Sequence, residues 1–262
     1  MARLAMVTGA SSGIGEAFAE RLAAEGWDLV LVARRRDRLE QVAAHLRDAH
    51  GVSAVVLDVD LSNPVQLEAL CAESADLPLG MLVNNAALAH YMPFATLPAE
   101  QAQELVQLNV LAPVLLTRAV LPGMVERGEG AVINVASLLA FSGSWDRPSL
   151  PQRAVYAASK SFLVSFTQIL AGELRDTGVK VQVVCPGVVR SEFHTRQGMD
   201  MSEVPRMEPG TLVQGSLADL ERGVVVSIPG SPEDVPLRDL EAAAEALVPF
   251  TRTVELPERY RP

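Results

Sequence analysis

The chain has 262 residues, 49% of them hydrophobic and 21% charged, which fits a single large α/β domain and excludes a disordered polymer. Its formal charge of −10 argues against nucleic acid or an anionic membrane as a main partner. Two cysteines, Cys71 and Cys185, and four scattered histidines offer neither a disulfide framework nor a metal site.

The opening "MARLAMVTGA" leaves no room for a signal peptide and runs straight into a short apolar strand over 4–8. No segment reaches the run of about 18 apolar residues that a membrane span needs, so a cytoplasmic protein is expected. The strand leads into "TGASSGIG", whose Gly9, Gly13 and Gly15 open a helix over 13–25. A strand, a tight glycine turn and a helix N-terminus together make an anion site. Backbone N–H groups point outward, the helix dipole is positive there, and missing side chains let a pyrophosphate approach. The spacing is G-x-x-x-G-x-G rather than the commoner G-x-G-x-x-G.

The second strand, 28–33, ends "LVARRR". An acidic residue at this strand end would hold a ribose 2′-hydroxyl and repel a 2′-phosphate. Here Ala33 is followed by Arg34, Arg35 and Arg36, a neutral position and then a cationic run. That pattern favours NADP(H) over NAD(H), because a guanidinium is the natural fork for phosphate oxygens. Further strands are predicted over 53–59, 81–84, 131–136, 180–185 and 224–228, and helices over 36–50, 64–75, 99–127 and 154–177. The strands are near-continuous Val/Ile/Leu runs, as in sheets buried on both faces. The expected architecture is α/β, a doubly wound Rossmann-type parallel sheet of about seven strands with helices on both faces, in one domain over 1–262.

Two regions break the alternation: 138–153, and 192–221, which is rich in Met, Gly, Pro and Ser. Both follow a strand, and ligands bind outside the carboxyl ends of parallel strands, so both are expected to be substrate-side loops. Between them, "VYAASKSFL" places Tyr156 four residues before Lys160, on one helix face.

Taken in order, "TGASSGIG", "NNAA" at 84–87, Asn109 in "LNVLAP", Ser137 in "NVAS", "YAASK" and "PGVVRS" from Pro186 resemble the short-chain dehydrogenase/reductase (SDR) family. The resemblance covers Leu4 to about Ser191. It implies an NADP(H)-dependent interconversion of a carbonyl and a secondary alcohol. Tyr156 is then the acid/base, and Lys160 lowers its pKa from an ordinary value of about 10 and holds the nicotinamide ribose. Ser137 polarises the substrate oxygen, and Asn109 anchors a proton-relay water through its carbonyl. The resemblance further assigns cofactor contacts to Gly9, Ser11, Ser12, Gly13, Ile14, Gly15, Arg34 and Arg35. Asp60 and Leu61 would contact the adenine, although Asp60 also suits a helix N-cap. Asn85 and Ala86 would line the adenine ribose, and Pro186, Gly187, Val189 and Ser191 would border the nicotinamide. The family implies a homodimer or homotetramer packed through the helices over 99–127 and 154–177.

Three departures stand out. Ala87 replaces the family's glycine, which would strain a position needing positive φ. Ser191 replaces a threonine and keeps the hydroxyl. Ser137 and Tyr156 are 19 residues apart, longer than the family's usual spacing, so Ser142 and Ser144 rival Ser137. The strand end favours Ser137. The extra residues, including Trp145, Arg147 and Arg153, then enlarge the loop beside the substrate, as surface or as recognition elements. One alternative is a non-catalytic NADP(H)-sensing protein, against which the intact Tyr–Lys pair argues. Another is a sugar-nucleotide epimerase, for which the chain after Ser191 is short.

Overall fold

The computed structural model describes residues 3–233, 235–255 and 257–260. Its centre is a seven-stranded sheet in the order β3-β2-β1-β4-β5-β6-β7, with every pairing parallel. The strands are β1 (Leu4–Thr8), β2 (Asp28–Ala33), β3 (Ala54–Asp58), β4 (Leu79–Asn84), β5 (Gly130–Val135), β6 (Val179–Val184) and β7 (Val226–Ser227). The order reverses between β1 and β4, which opens a crevice at their carboxyl ends.

Alternate residues of one strand feed opposite layers of core. Ala5 and Val7 of β1 pack with Phe18, Leu22, Leu39 and Leu217, and Met6 packs with Leu67, Leu116 and Leu170. Helices α1 (Gly13–Ala24), α2 (Arg36–His50) and α8 (Pro209–Glu221) therefore cover one face. The other is covered by α3 (Pro64–Ala75), α5 (Ala112–Arg127) and α6 (Ala154–Glu173).

The single helix predicted over 99–127 is three pieces: α4 (Ala99–Val106), a π-helical turn at Gln107–Leu111, and α5. π turns of this kind commonly mark functional sites, and this one carries Asn109. The stretch Ala99–Arg127 has a mean hydropathy of 1.6 over its most apolar window, enough by length and composition to cross a membrane, which corrects the expectation that no segment qualifies. Its apolar residues Leu116, Val120 and Met124 are packed against the sheet.

The region 192–221 is less irregular than expected. It contains a four-residue helix, α7 (Glu192–Thr195), and the three-turn α8, whose proline opens the first turn. Leu138–Ser144 winds into 3₁₀ turns, and β7 is only two residues long. Whereas the sequence reading treats 1–262 as one domain, the chain divides into two compact units, 1–230 and 231–262. The sheet lies wholly in the first, and the second contains α9 (Val235–Glu245) and two 3₁₀ turns.

Beneath the crevice, β4, β5, α5 and α6 are tied by a buried polar chain. Asn84 Nδ2 donates to Asn134 Oδ1 at 2.9 Å and to Thr117 Oγ1 at 3.1 Å. Asn134 Nδ2 donates in turn to Thr167 Oγ1 at 2.9 Å.

Candidate active site

Gly9 and Gly13 adopt φ of 68° and 60°, where a side chain is strained. Neither has space for one: a Cβ on Gly9 would lie 2.7 Å from Asn85 Nδ2, and one on Gly13 would lie 2.9 Å from the Ser191 Cβ. Thr8 fastens the turn to β4, its hydroxyl donating to the Val83 carbonyl and accepting the N–H groups of Asn85 and Ala86. Thr8 was not singled out from the sequence, although it opens the quoted glycine motif. Gly15 does not line the cleft; a side chain there would strike the Gly9 carbonyl, so it serves helix–turn packing. No described residue other than glycine has positive φ, so Ala87 is unstrained.

Of the basic run, Arg35 is the residue that reaches the turn. Its Nη2 donates to Ser11 O, Ser11 Oγ and Ser12 Oγ at 3.0–3.2 Å, and its Nη1 to Glu192 Oε2 at 3.0 Å. Arg34 also lines the cleft, 4.0 Å from Asp60 and 3.9 Å from Glu104. Arg36 pairs with Asp58. Arg196 and Arg35 hold the Glu192 carboxyl below the ordinary carboxylate range. Asp60 is not the cap of α3; Asn63 Oδ1 accepts the Val65 and Gln66 N–H groups instead. Asp60 and Leu61 line the cleft, as do Asn85 and Ala86. Glycines that cannot carry a side chain, a guanidinium over two hydroxyls and a neutral Ala33 fit a 2′-phosphorylated dinucleotide.

The cleft runs on, at about 900 Å³ in all, to Ser137, Tyr156 and Lys160. Ser137 leaves the end of β5, and Tyr156 and Lys160 stand one turn apart at the start of α6. Lys160 Nζ donates to the Val135 carbonyl at 2.8 Å and lies 5.8 Å from the Tyr156 ring centre. Burial pushes the Lys160 ammonium down to about 8 and the Tyr156 phenol up to about 12. The neighbouring hydroxyls of Ser137 and Tyr91 pull it back down.

Ser142 is buried outside the cleft, its Oγ donating to the Leu139 carbonyl and accepting from Arg153 Nε. Ser144 does not line the cleft either. Asn109 stands behind the site rather than in it. Its Oδ1 accepts from Leu88 N at 3.0 Å, and its Nδ2 donates to Leu88 O at 2.9 Å and to Ser159 Oγ at 3.2 Å. Pro186, Gly187, Val189 and Ser191 line the cleft, as does Ile14.

The two irregular regions supply much of the substrate wall. Trp145, Leu150 and Pro151 come from the first, and Phe193, Met201 and Val204 from the second. Arg153 clasps the first loop from behind, donating to the carbonyls of Ser142, Trp145 and Pro151. Neither it nor Arg147 faces the cleft. Tyr91, which the sequence reading missed, joins this wall from the segment after β4, its ring edge-on to Tyr156 at 5.5 Å.

A phosphate cradle at a strand-order switch, leading to a buried phenol and ammonium, is the layout of the dinucleotide-dependent α/β oxidoreductases. Residues 3–201 match the sequence model of the short chain dehydrogenase family, and the chain belongs to that family. It is 34% identical over 225 residues to a rat (Rattus norvegicus) protein named inactive hydroxysteroid dehydrogenase-like protein 1, covering 85% of this chain and 66% of that one. It is 36% identical over 193 residues to the very-long-chain 3-oxoacyl-CoA reductase of Bos taurus, covering 72% and 60%. The chain thus spans under two thirds of the length of these curated relatives. Among solved structures, a short-chain dehydrogenase from Sphingobium yanoikuyae in complex with NADPH superposes with a TM-score of 0.92 at 36% identity, over 98% of this chain and 99% of that one. The bulky-bulky ketone specific alcohol dehydrogenase of Comamonas testosteroni superposes at 0.89 with 31% identity, over 99% of each chain.

Proposed function

We propose that the chain is an NADP(H)-dependent oxidoreductase that interconverts a ketone and a secondary alcohol, and that its preferred ketones are bulky and apolar. The observation that carries this is the placing of Tyr156, Ser137 and Lys160 in the same cleft as the Arg35-bearing glycine turn. The apolar wall of Trp145, Leu150, Phe193 and Met201 supports the substrate class, and the Comamonas testosteroni relative is named for such ketones.

Gly9, Ser11, Ser12, Gly13 and Arg35 would hold the phosphates of the dinucleotide, and Pro186 to Ser191 its nicotinamide end. When bound, the dinucleotide supplies or accepts the hydride. Ser137 donates a hydrogen bond to the substrate oxygen and polarises it. Tyr156 gives that oxygen its proton in reduction and removes it in oxidation. Lys160, fixed by the Val135 carbonyl, favours the phenolate by its charge and holds the ribose hydroxyls. The Asn109 side chain is committed to Leu88 and Ser159, which leaves its carbonyl to anchor the relay water.

The name of the rat relative favours a second reading, a dinucleotide-binding protein without turnover. NADPH and NADH consumption with aryl and long-chain ketones separates the two. Turnover with NADPH above that with NADH supports the oxidoreductase, and tight binding without turnover across the panel supports the second. Cytoplasmic working and a homodimer or homotetramer remain part of the proposal. Exposed Phe162 and Ile169 on α6 support the latter, and sedimentation velocity tests it.

A further inference from the structure

Tyr91 is placed by more than its own ring. The backbone of Leu88, three residues earlier, is gripped in both directions by the Asn109 side chain. Ala89 is fully buried, and His90 Nε2 lies 3.3 Å from Glu104 Oε2 on α4. On its other side Asn109 bonds Ser159, whose hydroxyl donates to the Tyr156 carbonyl at 2.7 Å. One buried amide therefore braces the Tyr91 segment against the turn of α6 that carries Tyr156. The result is an edge-on pair of phenols, 5.5 Å between ring centres and 76° between planes, with the Phe193 ring centre 6.0 Å from that of Tyr156. Tyr91, Ser137 and Tyr156 all line the cleft.

We propose that Tyr91 is a positioning residue for the acid/base phenol: its hydroxyl donates a hydrogen bond to the Tyr156 oxygen, holding that oxygen toward the substrate and favouring its ionised form. The direction of the bond follows from the chemistry of the ionised form: a phenolate at Tyr156 has no proton to donate and can only accept, so Tyr91 is the donor. Tyr156 thus meets two hydroxyls, Ser137 from β5 and Tyr91 from the segment after β4. The titratable and charged groups around the pair are Lys160 on α6, Cys185 at the end of β6, His90 beside Tyr91 and Glu104 on α4. This role rests on the oxidoreductase reading above.

The test is Tyr91→Phe, which keeps the ring and removes the hydroxyl, with Tyr156→Phe alongside. The kcat for ketone reduction is expected to fall about tenfold, the usual size of a lost hydrogen bond to a charged group. The pH at which alcohol oxidation switches on is expected to rise, because the phenolate has lost a donor. A purely structural role would lower activity without moving that profile. A readout independent of turnover comes from ¹³Cζ-tyrosine NMR, since the chain has three tyrosines and the two variants assign Tyr91 and Tyr156. The Tyr156 resonance is expected to shift in Tyr91→Phe. An unmoved resonance overturns the proposal, with or without activity. A shifted resonance in a protein that turns over no ketone would uphold the hydrogen bond and reject the oxidoreductase reading instead.

Discussion

The Lys160 ammonium donates to the Val135 carbonyl at 2.8 Å, and this single bond fixes a buried cation between the end of β5 and the ring of Tyr156. Among the described residues no carboxylate pairs with Lys160, and burial drives its pKa down. A cation held this way has a distinct pH signature.

Between a folded value of about 8 and the ordinary lysine value, the unfolded chain carries a proton at this site that the folded chain has lost. The site's contribution to stability therefore rises with pH across that window. Urea unfolding of the cofactor-free protein is expected to show wild type gaining stability relative to Lys160→Met from about pH 7 to about pH 10. A constant difference would mean that Lys160 is not desolvated as described.

Arg35 and Glu192 predict cofactor choice. If Arg35 holds the 2′-phosphate as proposed, Arg35→Ser is expected to weaken NADPH binding by about tenfold or more, with NADH binding little changed. Glu192→Gln removes an anion from the same guanidinium and is expected to tighten NADPH binding. Isothermal titration of both cofactors checks this. An equal loss for NADH in Arg35→Ser would show that Arg35 only supports Ser11 and Ser12.

The buried chain from Thr117 through Asn84 and Asn134 to Thr167 should be a large single contribution to stability. Asn134→Leu leaves Asn84 and Thr167 without their partner and is expected to destabilise the fold by about 3 kcal/mol. Denaturant titration measures it, and a loss comparable to a surface substitution would show that the network relaxes around the change.

The strands, the glycine turn and the Tyr156–Lys160 pair were legible in the sequence because each is set by local spacing. Arg35 was legible only as one of a basic run. Which arginine meets the turn depends on Ser11 and Glu192, and the latter is 157 residues away. Tyr91 had no local signal at all. What places it is Asn109, itself set on a π turn that no hydrophobic period announces. Helix α8 escaped notice because Gly210, Thr211, Gly215 and Ser216 dilute its apolar stripe, though Leu212, Val213, Leu217 and Leu220 are buried in the core. The resolution of the serine question is similar. Ser142 sits nearer the expected spacing, but Arg153 and Leu139 already engage its hydroxyl.

The central claim is that Tyr156 moves the proton in an NADPH-dependent ketone reduction. The most direct test is single-turnover NADPH oxidation with a bulky aryl ketone in wild type and Tyr156→Phe, after showing that both bind NADPH equally. The account predicts turnover in wild type and a loss of at least about a hundredfold in the variant, the size of a missing general acid. Equal rates in the two proteins would contradict it.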